Sequence, residues 1–276
     1  MREKIHIIGS NGFIGKNLIK NFPRKEYVLW SHSKKEDFNF FDLLNNETWT
    51  DLINQKPKIV ILLSWPGLPN YNEYFHVNRN LPLCLKLVEI LKDNGLQKLI
   101  ITGTCYEYGL INGQIKEECI TKPLNQYAIA KDTLRKSLFE IHKNTTLKIC
   151  WLRIFYVYGK DQNKNSLYPS LLDSIKSNSS FAISSGRQIR DFVKVETISG
   201  YINLFLNSDK ANGIFNGGSG NPVSIYEFVK KIIEEYKSNI KIKRNFYPDR
   251  EDEPSAFWAD VSKIKSLYNL QEQNKS

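Results

Sequence analysis

IHIIGSNGFIGKNLI, residues 5–19, joins a short apolar run to an amphipathic one through three glycines, Gly9, Gly12 and Gly15. The pattern predicts a strand over Ile5 to Ile8 and a helix over Phe13 to Asn21. Gly9 permits the tight turn between them, Gly12 lets the backbone approach an anion, and Gly15 lets the helix close on the strand. The helix then presents unpaired N–H groups and the positive end of its dipole to a phosphate. Asn11 can hydrogen-bond within the turn. A glycine-rich turn in this strand-to-helix setting implies a dinucleotide pyrophosphate as its ligand.

Outward from that turn, β-branched runs alternate with amphipathic segments through the first half. Strands are expected at Tyr27 to Trp30, Ile59 to Leu63, Leu99 to Thr102 and Leu147 to Ile154. Helices are expected near Trp49 to Ile53, Val77 to Lys92 and Tyr127 to His142. This alternation defines an α/β fold, a Rossmann-type parallel sheet with helices on both faces. After Tyr158-Gly159 the pattern loosens, so residues 1–159 read as the dinucleotide-binding domain. Residues 160–276 read as a smaller, mainly substrate-binding domain, with about 190–216 returning to the main sheet through the strand-like GIFN at Gly213 to Asn216. The tail after Asn269 reads as a frayed terminus.

The chain has 276 residues, with 39 Lys plus Arg against 29 Asp plus Glu, a net charge of +10. No nucleic-acid motif or basic-aromatic block accompanies that excess, so nucleic acid is not expected as a partner. No apolar run reaches membrane-span length and no signal peptide precedes the first strand, which makes a cytoplasmic protein without membrane association the expectation. Cys84, Cys105, Cys119 and Cys150 are widely spaced, suiting reduced structural thiols rather than a metal site.

The second strand of a dinucleotide fold ordinarily ends in an acid that holds the ribose 2′-OH of NAD. Here it reads VLWSHSKKED, without a carboxylate before Glu36. Ser31, His32, Ser33 and Lys34 instead offer hydroxyls and positive charge suited to a 2′-phosphate, so NADPH rather than NAD is the expected cofactor. Tyr127 and Lys131, in NQYAIAKDTL, stand four residues apart on one helix face. An ammonium beside a phenol lowers its pKa from about 10 and lets it exchange protons near neutrality. Thr102 and Thr104, in IITGTCYEYG, suit either turn capping or the holding of a substrate carbonyl.

These segments, with Val77-Asn78, LRIFYVYG at Leu152 to Gly159, RDFVKVETI from Arg190, FNGGSGNPVSIYEF from Phe215 and ADVSK from Ala259, resemble the extended short-chain dehydrogenase/reductases, the nucleotide-sugar epimerase/dehydratase family. The resemblance implies that Thr104, Tyr127 and Lys131 are the catalytic group. It also implies cofactor contacts from Gly9, Asn11, Gly12, Phe13, Ile14 and Gly15, from Asp42 and Leu43 beside the adenine, and from Leu63, Ser64, Trp65, Asn78, Thr102, Tyr127, Lys131 and Phe155. Substrate contacts are implied at Trp65, Thr104, Cys105, Tyr106 and Tyr156. Arg190 either meets the substrate diphosphate, as the family implies, or pairs with Asp191 or Glu196.

Departures from the family pattern narrow the reaction. Cys105-Tyr106 stand where the 4,6-dehydratases carry Asp-Glu, with Glu107 one position too late. No His follows His142 to serve the second activity of the GDP-fucose synthase type. Tyr156 replaces the usual Asn of LRxFNxYG and implies a differently shaped pocket. The chain is most similar to small bacterial reductases of dTDP- or CDP-4-keto-6-deoxyhexoses, the dTDP-fucose-forming type, which serve surface polysaccharides. An NADPH-dependent 4-ketoreductase is therefore expected. An NAD-dependent 4-epimerase and a non-catalytic NADPH-binding regulator remain as alternatives. The family also implies a homodimer through the helices near Val77 to Lys92 and Tyr127 to His142.

Overall fold

The computed structural model describes residues 3–33, 36–249 and 253–273, with side chains to 268. The first units along the chain are β1 (Ile5–Ile8), α1 (Phe13–Asn21), β2 (Tyr27–Ser31), β3 (Asn39–Phe40), α2 (Thr50–Asn54) and β4 (Ile59–Leu62). A π-helical turn, His76–Asn80, leads into α3 (Leu81–Asp93) and then β5 (Lys98–Thr104). A 3-10 turn, Cys105–Tyr108, precedes β6 (Gly113–Ile115), α4 (Gln126–Ile141), β7 (Lys148–Ile154) and β8 (Tyr156–Tyr158). The second half carries α5 (Leu167–Lys176), β9 (Phe181–Ala182), β10 (Ile189–Lys194), α6 (Val195–Leu206), β11 (Gly213–Gly217) and β12 (Pro222–Ser224). It ends with α7 (Ile225–Glu235), β13 (Ile242–Lys243), β14 (Ala256–Ala259) and α8 (Ser262–Gln273).

Seven parallel strands form the main sheet in the order β11-β7-β5-β4-β1-β2-β3. Both faces are covered, so strands such as IHII and KLIITGT are buried along their whole length. Successive residues still alternate between two cores. Ile7, Ile61, Ile100 and Leu152 join Leu18, Ile202 and Ile264 on the α1, α6 and α8 side. Ile8, Val60, Ile101 and Trp151 join Leu52, Leu87 and Leu134 on the α2, α3 and α4 side. Truncating a fully buried core residue such as Leu87 to Ala costs about 2–5 kcal/mol.

Gly213–Gly217 pairs with β7 at the sheet edge, whereas Ile189–Lys194 does not enter the main sheet. It lies in a second, five-stranded sheet with β6, β8, β12 and β14. A smaller core of Leu171, Phe181, Phe228, Val229 and Ile232 ties α5, α7 and β9 together. The helix expected from Val77 to Lys92 is broken: its first turn is π-helical and regular α-helix starts only at Leu81, with a proline in its first turn. Pro82 lacks the N–H that a continuous helix would need from it. The tail after Asn269, expected to fray, is helical to Gln273, and residues 274–276 lie outside the described residues. All four cysteines are free. Among the described residues no helix is long and apolar enough to cross a membrane, and no cluster of His, Cys, Asp or Glu could hold a metal.

Candidate active site

The glycine turn sits at the carboxyl end of β1. Gly9 has φ +89°, and a Cβ there would lie 2.8 Å from the Ser64 nitrogen after β4. A Cβ on Gly15 would lie 2.5 Å from the Gly9 carbonyl oxygen, so only glycine lets α1 close on the turn. Gly12 caps α1 without a side-chain acceptor, and no acid stands in the first turn with Phe13 and Ile14. The end of the helix is thus left to an outside anion, and the residues present fit a dinucleotide pyrophosphate.

Asn11 donates from Nδ2 to the Ser33 hydroxyl at 3.2 Å, and the Ser33 amide donates to the buried Ser31 hydroxyl at 3.0 Å. The end of β2 is thereby joined to the glycine turn. His32 is exposed, with Nδ1 3.6 Å from the Asp42 carboxylate. Asp42 also accepts the Leu44 amide, while Leu43 is buried in the core. Lys34 lies outside the described residues. On the other side of the turn, the Leu63 amide donates to the Ile8 carbonyl at 2.9 Å. Leu63 and Ser64 thus lead to Trp65 alongside the turn.

Tyr127 and Lys131 share the first two turns of α4. Asn125 caps that helix by accepting the Ala128 amide, and the Tyr127 amide donates to the Tyr71 carbonyl at 2.9 Å. Both side chains are buried, at 8% and 2% exposure. Lys131 Nζ donates to the Thr102 carbonyl at 2.8 Å and lies 4.1 Å from the centre of the Trp65 ring. Burial pulls its pKa down to about 8. Thr104 ends β5, with its hydroxyl near enough to the Tyr127 phenol to pull the phenol's pKa down. The structure therefore brings Thr102, Thr104, Tyr127, Lys131 and Trp65 together.

The expected lowering of the Tyr127 pKa by Lys131 does not hold in this arrangement. Burial raises it, Tyr71, Glu107 and Cys105 push the same way, and Thr104 opposes them. The phenol is consequently protonated at neutral pH, a proton donor rather than an acceptor.

Several side chains of this site carry no motif of their own in the sequence. His76 is fully buried, with its ring 5.5 Å from that of Tyr127. Tyr71 lies 5.7 Å from Tyr127 and 5.5 Å from Tyr106, centre to centre. Asn78 is exposed on the π-helical turn, whereas Asn80 is buried and donates to the Pro66 carbonyl. Glu107 is wholly buried and accepts from the Thr104 amide at 2.9 Å, Trp151 Nε1 at 3.0 Å and Arg153 Nε at 2.7 Å. Its carboxylate braces the end of β5 from behind and is not free to act on a ligand in front.

Next to this cluster, Cys105 is buried and its thiol is pushed far above the usual range, so it is inert rather than nucleophilic. The Tyr106 and Tyr156 rings meet edge-on at 6.3 Å. Arg190 departs from both sequence readings. It is 1% exposed, donates to the Ile189 and Pro254 carbonyls, and forms an ion pair at 2.8 Å with Glu253, not with Asp191 or Glu196. Its guanidinium is 5.2 Å from the Tyr156 ring, so it shapes the wall behind Tyr156 and does not present an open phosphate site. Phe155 is 3% exposed and stacked 5.0 Å from Phe257, so its ring lies inside the core.

A model of the NAD dependent epimerase/dehydratase family matches residues 5–218. Over 270 residues the chain is 30% identical to a dTDP-6-deoxy-L-talose 4-dehydrogenase (NAD(+)) of Aggregatibacter actinomycetemcomitans, covering 92% of this chain and 98% of that protein. A GDP-6-deoxy-D-talose 4-dehydrogenase from the same organism is 26% identical, over 96% of this chain and 90% of its own length. Among solved structures, UDP-N-acetylglucosamine 4-epimerase from Methanobrevibacter ruminantium M1, in complex with UDP-N-acetylmuramic acid, superposes with a TM-score of 0.83 at 26% identity. That match covers 97% of this chain and 92% of the epimerase.

Proposed function

The chain belongs to the NAD dependent epimerase/dehydratase family of nucleotide-sugar enzymes, and from that premise we propose that it reduces the C4 ketone of a nucleotide-activated 4-keto-6-deoxyhexose with NADPH. The observation that carries this reading is the meeting of Thr104, Tyr127 and Lys131 at the carboxyl end of β5. A protonated, buried phenol suits the donation of a proton to a ketone oxygen. The Thr104 hydroxyl holds that oxygen within reach, and the buried Lys131 ammonium favours the alkoxide as it forms. When bound, the dinucleotide supplies hydride. Gly9 to Gly15 hold its pyrophosphate.

Elimination of water is disfavoured because Glu107 is committed to Thr104, Trp151 and Arg153. Two relatives named as 6-deoxytalose 4-dehydrogenases carry out oxidoreduction at C4 of a 6-deoxyhexose by their names, which supports the same carbon and sugar class here. The preference for NADPH rests on the end of β2, where Ser31, His32 and Ser33 replace the usual carboxylate. The test is incubation with NADPH or NADH and a panel of fresh 4-keto-6-deoxy nucleotide sugars, with the product sugar identified by NMR. Oxidation of NADPH by one of the panel is the expected result. Purified protein that consumes neither cofactor with any of them would sink the proposal.

The similarity to a 4-epimerase favours one second reading, epimerisation with retained NAD. Protein that copurifies with NAD and interconverts 4-epimers without added cofactor would establish that instead.

A further inference from the structure

We propose that Trp65 and His76 form a latch that positions Lys131, making both of them positioning residues for the reaction assigned above. The inference rests on that assignment for its chemistry, and on the geometry below for its existence.

An ammonium has three donors and no acceptor. In its buried place Lys131 gives one of them to the Thr102 carbonyl, and the face of Trp65 covers it at 4.1 Å. The electron-rich indole face substitutes for a second acceptor. That substitution works only if the ring cannot turn. The Trp65 indole N–H donates to His76 Nδ1 at 3.0 Å, and His76 Nε2 lies 2.9 Å from the Asn70 carbonyl oxygen. Indole can only donate and a carbonyl can only accept. His76 is therefore fixed as the neutral Nε2–H tautomer, bonded at both nitrogens.

The backbone supports this arrangement. His76 opens the π-helical turn and Asn80 closes it; both are 0% exposed. Asn80 donates to the Pro66 carbonyl at 2.8 Å and so ties the residue after Trp65 to the same turn. Single π-turns inside helices recur at functional sites because they redirect side chains that a regular helix would place elsewhere. The His76 and Tyr127 rings meet edge to face at 5.5 Å, and Trp65 meets the Tyr127 ring at 6.1 Å. One latch thus touches both residues of the proton-transfer pair.

Protonation of His76 would place a second hydrogen opposite the indole N–H and break the latch. Burial opposes that protonation most. The Asn70 hydrogen bond favours it, Lys131 and Arg79 oppose it, and Glu73 favours it; Tyr127, Phe75 and Asn80 complete the groups around the ring. The balance holds His76 below its usual pKa of 6.5, so the latch is closed at neutral pH.

The experiment compares wild type with His76→Leu, His76→Asn and Trp65→Phe. Asn can present an oxygen near the place of Nδ1; Leu cannot. Steady-state kinetics are paired with NMR of 13C-labelled lysine, in which the Lys131 ε-methylene is expected to be ring-current shifted, because its Nζ lies 4.1 Å from the Trp65 ring centre. We expect His76→Leu to lower kcat about tenfold with KM within about twofold, and to move the ε-methylene signal toward that of an unshifted lysine. Trp65→Phe keeps a ring but loses the latch, and should move both readouts in the same direction. His76→Asn should recover much of both. Wild-type kcat and an unmoved ε-methylene signal in His76→Leu or Trp65→Phe would overturn the proposal, as would a loss that His76→Asn does not relieve. If wild type reduces no keto sugar yet its shifted signal is lost in His76→Leu and regained in His76→Asn, the latch stands and the assigned reaction falls.

Discussion

Two indole–imidazole pairs of nearly the same shape occur in this molecule. Trp30 donates to His6 Nδ1 at 3.1 Å with rings 6.0 Å apart; Trp65 donates to His76 Nδ1 at 3.0 Å with rings 6.2 Å apart, and the interplanar angle is 19° in both. The first pair joins the neighbouring strands β1 and β2 inside the sheet. The second borders Tyr127 and Lys131. Pair geometry therefore does not distinguish a structural contact from a functional one. What differs is the company: a sheet interior around one, a buried cation and a phenol around the other.

The comparison breaks most sharply at the group the second pair serves. Tyr127→Phe is expected to lower kcat by roughly 10²–10⁴ with the fold intact, since only a hydroxyl is removed; steady-state rates and a thermal melt check it, and a near-normal rate would deny the phenol its role. Lys131→Met comes next, and its largest effect on stability has the opposite sign. Lys131 has a folded pKa of about 8 against the ordinary 10.5. Below pH 8 both folded and unfolded states carry the proton and the penalty of burial is felt in full. Between pH 8 and 10.5 the folded state releases its proton first, so the penalty fades. Lys131→Met should therefore stabilise the fold by on the order of 3 kcal/mol below pH 8, and by progressively less up to pH 10.5, in denaturant titrations, while abolishing activity.

Trp30→Phe should be smaller and purely structural. Losing the bond to His6 is expected to cost about 1–2 kcal/mol by urea titration with kcat unchanged, in contrast to Trp65→Phe. A further effect on the fold, of the same order as that at Lys131, is in acid. Burial holds His6 at about 4 where the unfolded residue titrates near 6.5. The unfolded state then binds the extra proton between those values, and stability falls as pH drops from 6.5 to 4. His6→Leu should flatten that slope in melts at pH 7 and 4.5; an unchanged slope would place the acid sensitivity elsewhere.

The main sheet was legible because a buried parallel strand is a mostly apolar run, and IHII, IVIL and the LII of KLIITGT are runs of that kind. The glycine turn was equally visible, since each glycine answers a local steric demand. Tyr127 and Lys131 were legible as a pair because four residues is one helical turn. Arg190 was not, for its acceptor Glu253 is 63 residues away and no local pattern foretells that pairing. His76 showed nothing as a lone histidine in an amphipathic stretch. Its signal was indirect: Pro82 marks a discontinuity in what otherwise looks like one helix, and that discontinuity turns His76 and Asn80 inward. Glu107 was noticed only as an acid out of register, and its partners Trp151 and Arg153 lie on a strand that neighbours β5 in the sheet but is remote in sequence.

The hydrogen bond from the Tyr127 amide to the Tyr71 carbonyl has an evolutionary consequence. It fastens the loop in front of the site to the start of the helix that carries Tyr127, yet it is made by main chain alone. Leu68 and Tyr74 on that loop are well exposed. Their side chains can drift toward a new sugar without untying the knot beneath them, so selectivity at the mouth can be rewritten while the proton donor keeps its address. The same amide is a natural reporter: its rate of hydrogen exchange measures how often the loop lets go.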